Sequence, residues 1–113
     1  MAYYAFTTPV LPGKVEAWKS YVAEMNGPRD EERTESRKRA GLTVERVWLQ
    51  RIPAGDFAVV YWEAEDIGKV FETFLNSDAP FDKWFREKIF VESHGMDTTQ
   101  VPPMNELVLE FKA

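Results

Sequence analysis

Few side chains in this chain are equipped to do chemistry. His94 is its single histidine, and imidazole alone has an unperturbed side-chain pKa near neutrality. It directly precedes Gly95-Met96-Asp97, at the expected end of a helix. There it could act as a general base, and a helix C-terminus would favour its protonated form. A capping or surface histidine would occupy the same place. Tyr4, Trp48, Trp62 and Trp84 could line an aromatic ligand pocket, or serve as ordinary core. By strand alternation Arg46 and Gln50 share a face with Trp48. A cation and an amide beside a ring could orient a carboxylate or quinone oxygen. They could equally form salt bridges at an inter-subunit rim, and Glu45 and Arg51 raise the same question on the opposite face.

Other chemistries lack their residues. Without cysteine there is no disulfide, thiolate metal site or cysteine nucleophile. One histidine excludes a multi-histidine metal centre, and no carboxylate spacing suggests another, so neither metal nor cofactor is expected. A glycine-rich phosphate loop, a nucleophile elbow and a paired-carboxylate motif are all missing. The formal net charge is −5, and the basic residues between Arg29 and Arg39 are interleaved with acids. Nucleic-acid binding needs unbalanced positive charge, so it is not expected. No apolar run is long enough for a bilayer, and Met1-Ala2-Tyr3-Tyr4 lacks the basic head of an export signal. The expectation is a cytoplasmic protein that engages no membrane.

The elements that must position these residues can be read in order. At 113 residues the chain suits a single domain, 1–113, and its four Trp and eight Phe supply large rings for a core. Tyr3 to Thr8 reads as a strand closed by Pro9. Pro12-Gly13 opens a helix with Val15, Trp18, Val22 and Met25 on one stripe, ending at Gly27. Arg29 to Ala40 has no large apolar residue. Its pairs Asp30/Arg33, Glu35/Lys38 and Glu35/Arg39 stand at helical spacing. This predicts a solvated or salt-bridged helix ending at Gly41. Leu42–Ile52, a turn at Pro53–Asp56 and Phe57–Ala64 read as a hairpin. Asp66 caps a helix carrying Ile67, Val70, Phe71, Phe74 and Leu75. Pro80 starts another that runs to Gly95, and Asn105–Lys112 alternates as a last strand.

This order predicts an α+β domain of ferredoxin-like βαββαβ type, a four-stranded antiparallel sheet with helices on one face. Such a sheet should be polar on its free side. Here both faces carry apolar residues: Tyr4 and Phe6 against Tyr3 and Ala5, Val59 and Tyr61 against Val60 and Trp62. An uncovered apolar face is uncommon in a monomer, so a homodimer through the sheet face is expected.

The strand and turn Tyr3–Gly13, the run Val59-Val60-Tyr61-Trp62-Glu63-Ala64-Glu65-Asp66 and the segment Phe74-Leu75-Asn76-Ser77-Asp78 carry a resemblance. The chain resembles the dimeric α+β barrel superfamily, of antibiotic-biosynthesis monooxygenase-like proteins, in an uncharacterised bacterial branch. The resemblance implies two ferredoxin-like subunits sharing a barrel, with a ligand between sheet and helices. Its haem-degrading branch would want Asn, Trp and His where this chain offers Phe6, Phe74 and Trp84, which argues against that branch. The segments Arg29–Ala40 and Met96–Asn105 are additions to the minimal pattern. Three functions are compatible. One is non-catalytic binding of a small apolar or aromatic molecule. The second is cofactor-independent oxygenation or isomerisation of an aromatic or quinone-like substrate, with His94 as base and Trp62 and Trp48 as a clamp. The third is a structural or regulatory module whose charged segment meets a partner.

Overall fold

The structure, a computed structural model, describes residues Met1–Ala113. Strand β1 (Ala2–Val10) is built from the aromatic and β-branched run expected to favour a pleated backbone. It runs past Pro9, because Pro9 lies on an edge strand, where a missing N–H costs no ladder bond. Helix α1 (Val15–Asn26) buries Trp18 and Met25. Helix α2 (Asp30–Ala40) has three acids in its first turn and three bases in its last, which complements the helix dipole. It stops at Gly41, whose φ of 76° is a left-handed cap that glycine adopts without strain.

Strands β2 (Leu42–Ile52) and β3 (Gly55–Ala64) form a hairpin tighter than the sequence implies. Ile52 faces Gly55, leaving only Pro53-Ala54 as the loop. An irregularity between Leu42 and Val44 shifts the register at the start of β2, so Leu42 reaches the core. Helix α3 (Ile67–Asn76) is capped by Asp66, whose carboxylate accepts the Lys69 N–H at 3.2 Å. Helix α4 (Pro80–Phe85) continues into α5 (Arg86–Ser93), which is wound as a π-helix. The wider winding shows in backbone bonds five residues apart, as in His94 N–H to Ile89 carbonyl at 3.2 Å.

The sheet is antiparallel in the order β1-β3-β2. The α+β class is therefore as expected, with three strands and not four. Asn105–Lys112 pairs with no strand of its own chain and is not a strand here. The sequence pattern alternates correctly, but pairing also needs a free edge within reach, and none is used. Helices cover the face bearing Tyr4, Phe6, Trp62 and Ala64, where one aromatic-rich core includes Phe71, Phe74, Phe85 and Phe90. Trp62 sits centrally, its ring 4.8 Å from that of Phe71. No helix covers the other face, where Tyr3, Arg46, Trp48 and Val59 lie. No helix is long and apolar enough to cross a membrane.

Candidate functional site

Two connections shape the space between helices and sheet. The first is the end of α5. Leu11 N–H donates to the Ser93 carbonyl at 2.9 Å, and His94 Nδ1 lies 2.8 Å from the Pro9 carbonyl. A carbonyl only accepts, so Nδ1 carries the proton and Nε2 is left as the free nitrogen. The imidazole is 6% exposed, edge-on to Trp18. Burial pushes its pKa below the ordinary value, outweighing the Pro9 carbonyl, which raises it. The sequence placed His94 correctly at a helix end but expected a stabilised imidazolium. Desolvation overrides the helix end, because the ring turns inward and not to water.

The second connection is α2, whose polar sequence conceals a packed face. Ser36 and Ala40 are buried. Between them Arg37 lays its guanidinium over the rings of Phe74 and Phe85, at 4.7 and 4.5 Å. The same group clamps Glu45 of β2 with Nε and Nη2 at 2.9 and 3.1 Å. Asp82 of α4, fully buried, accepts hydrogen bonds from Ser36 and from Arg39 at 3.2 Å. Burial alone would raise its pKa, but hydrogen bonds from Ser36, Ser77 and Arg39 together hold it below the usual carboxylate value. The expected ion pairs Asp30–Arg33 and Glu35–Lys38 form at 2.6 and 3.5 Å. The helix is thus a salt-bridged connector seated on the core.

Between these pieces lies a cavity of about 240 Å³. Its walls are mainly apolar, from Phe6, Trp18, Met25, Val60 and Phe90 among others. Its polar groups come from Arg33, Arg37, Glu45 and His94, with Asn26 and Thr8. Trp62 forms part of the wall, and its indole N–H is buried without a hydrogen-bond partner. Arg33 donates to Asp30 through Nη2, yet its Nε is likewise buried and unpartnered. Unpaired buried donors each cost roughly 1–3 kcal/mol and are rare in native folds. Two of them belong to residues of the same wall.

The pocket residues read from the sequence divide among four places. Trp62 and His94 line the cavity. Tyr4 packs beside them against Phe6, Trp62 and Phe71, with its hydroxyl donating to the Pro103 carbonyl at 2.9 Å. Arg46 and Trp48 lie on the outer sheet face, where Trp48 is 52% exposed and Arg46 stands over Tyr61. Trp84 lies elsewhere, in a cluster with Arg29 at 4.4 Å, Tyr21 and Phe81. One cavity does not unite the five aromatic and basic side chains, since alternation sends even-numbered residues of β2 outward while those of β3 point inward. Of the cavity's charged groups the sequence raises Glu45, as a ligand-orienting or rim group, but not Arg33 or Arg37. Their signal was the stripe Arg33-Ser36-Arg37-Ala40, in which small residues at helical spacing mark a contact face. No group of acidic or histidine side chains is arranged to hold a metal ion.

The chain belongs to a family of unknown function, DUF6176, whose model matches residues 1–92. That match takes in every cavity-lining residue except His94 and Met96, which lie beyond it. No curated protein and no solved structure matches the chain.

Proposed function

We propose that this protein binds a small, largely aromatic molecule that carries one acceptor pole, in the cavity between sheet and helices. The observation that carries this reading is the pair of unpartnered buried donors, Trp62 Nε1 and Arg33 Nε, on two residues of a mainly apolar wall. With a small turn of either side chain toward the cavity, an acceptor oxygen, best a carboxylate, would satisfy the donor, and an arginine favours an anion. Size limits the rest. A dry cavity of about 150 Å³ accommodates benzene, so the 240 Å³ here suits one or two fused rings. The antiparallel 1-3-2 sheet with helices on one face supports placing the chain near the dimeric α+β barrel proteins.

Matched probes test the reading. Indole-3-acetate and indole differ by the carboxylate. Indole-3-acetate should raise the melting temperature, bind at least tenfold more tightly than indole, and lose that advantage in Arg33→Met. Titration calorimetry showing no heat with either probe, or equal affinity for both, would sink the proposal.

A second reading follows from His94. A neutral imidazole with Nδ1–H anchored and Nε2 free is arranged as a base, and it shares the cavity wall with the two donors. Proton abstraction from a bound aromatic carbonyl compound would then be assisted by Trp62 and Arg33 at the developing oxyanion. Deuterium exchange at the α-carbon of such a bound compound, seen by NMR, would separate this reading from simple binding. His94→Gln should abolish the exchange without weakening binding.

A further inference from the structure

The segment Asn105–Lys112 stands in water with its apolar side chains bare. Leu107 is 72% exposed, and Val108, Leu109 and Phe111 are each 86% exposed. Apolar residues in an extended alternation are a strand without a sheet. The root of the segment is fixed: Asn105 donates its side-chain amide to the Ala5 carbonyl, and Pro103 accepts from Tyr4. Residues 101–105 therefore run along the outer edge of β1 and cover part of it. Beyond that root the segment stands off the outer sheet face, leaving a gap bordered by Tyr3, Tyr61 and Glu63 on one side and Leu107, Glu110 and Lys112 on the other.

The second edge of the sheet is free. β2 pairs only with β3, and Val47, Trp48 and Ile52 are 44–52% exposed along it. A bare, partly apolar edge strand invites pairing. The segment could pair with its own β2 only over part of its length. It leaves from β1, on the far side of β3, and of the roughly 27 Å that eight extended residues reach, about 10 Å would go on crossing two strand spacings.

We propose that two copies of this chain associate across their outer sheet faces, and that Asn105–Lys112 of each adds as a fourth strand to the β2 edge of the other. The side chains of the two strands match on both faces. Outward, β2 presents Arg46, Trp48 and Gln50, and the segment presents Glu106, Val108 and Glu110. In either strand direction a glutamate meets Arg46 and Val108 meets Trp48. Inward, Leu107, Leu109 and Phe111 extend the apolar strip of Val47 and Leu49. Cross-strand pairs of this kind stabilise a sheet, while like charges opposed would destabilise it. Tyr3 and Trp48 on the outer face and the four large apolar residues of the segment are exposed in the single chain, and a second copy would cover them.

Light scattering on the full chain should give twice its 13.1 kDa mass at micromolar concentration. A chain ending at Met104 should scatter as a monomer. Arg46→Glu alone, and Glu106→Arg with Glu110→Arg, should each raise the dimer dissociation constant at least tenfold, and the three changes in one chain should restore it. All three residues are largely exposed, so circular dichroism should report an unchanged fold in each variant. A full chain that stays monomeric at high concentration overturns the proposal. So does a chain ending at Met104 that dimerises as before, or charge reversals that weaken association without recovery in the combined variant.

Discussion

At the scale of single residues, a buried imidazole and a buried carboxylate both lose stability as pH falls, in two ranges that can be separated. Burial holds the His94 pKa below 6.5, its ordinary value. Unfolding releases the ring to take up a proton more readily. Its contribution to stability is therefore whole above that ordinary value and is lost as pH falls through the folded-state value. Urea midpoints of the native chain should drop between about pH 7 and 5, and His94→Gln should flatten that interval. Identical slopes in the two proteins would contradict the buried, neutral ring. Asp82 acts at lower pH. Its folded-state pKa is depressed, so the stability it supplies is present above its ordinary 3.8 and disappears as acid protonates it through the folded value. Asp82→Asn should weaken the fold near neutrality and leave it less sensitive to acid below about pH 4. Trp62→Phe concerns binding. It keeps the ring among its aromatic neighbours but deletes the unpartnered N–H. The protein should become slightly more stable by thermal melting, because an unsatisfied donor leaves the core, while its affinity for indole-3-acetate falls several-fold.

At the scale of elements, α2 shows how a helix with no apolar stripe is held. Arg37 and Glu45 are each less than one-fifth exposed and joined by two hydrogen bonds. Removing one member strands the other's charge, so Arg37→Met should cost about 3 kcal/mol or more in urea unfolding. Arg37→Met combined with Glu45→Leu should recover most of that loss, because two apolar groups in that place have no charge to desolvate. A double variant as unstable as the single one would mean that the guanidinium acts chiefly through Phe74 and Phe85. Periodicity made α1, α3 and the hairpin legible from sequence, since each element has a clear apolar stripe or alternation bounded by Gly, Pro or Asp66. The face of α2 was legible only through the small residues Ser36 and Ala40, because no hydropathy scale marks a guanidinium that stacks on aromatic rings. The continuous helix expected from Pro80 to Gly95 was right in its bounds and silent on its winding. Nothing in Arg86–Ser93 announces a π-helix; that winding turns Ile89, Phe90 and His94 inward together. The cavity was half legible. Trp62 and His94 were identified by residue type, whereas Arg33 depends on how α2 is rolled against the sheet.

At the scale of the whole molecule, an expected fourth strand became an unpaired segment for a physical reason. Alternation in Asn105–Lys112 specifies which side chains lie together, but it does not name the strand they lie beside. Tyr4 and Asn105 fix its root against the edge of β1, which residues 101–105 already cover in part, and beyond that root the segment pairs with no strand of its own chain. If a second copy supplies the strand, protection of the backbone must depend on concentration. The outward-pointing amides of β2 between Val44 and Ile52 lack strand partners within the chain. In dilute solution they should exchange with deuterium almost as fast as a loop. At concentrations well above the dimer dissociation constant they should slow by at least tenfold, together with amides in residues 105–112 and with no others as strongly. The central strand β3, already bonded on both sides, serves as the internal standard. Slowing confined to the 105–112 segment would mean that it folds onto some other surface. Slowing spread evenly through the chain would report global stabilisation and would not show a new strand at the β2 edge.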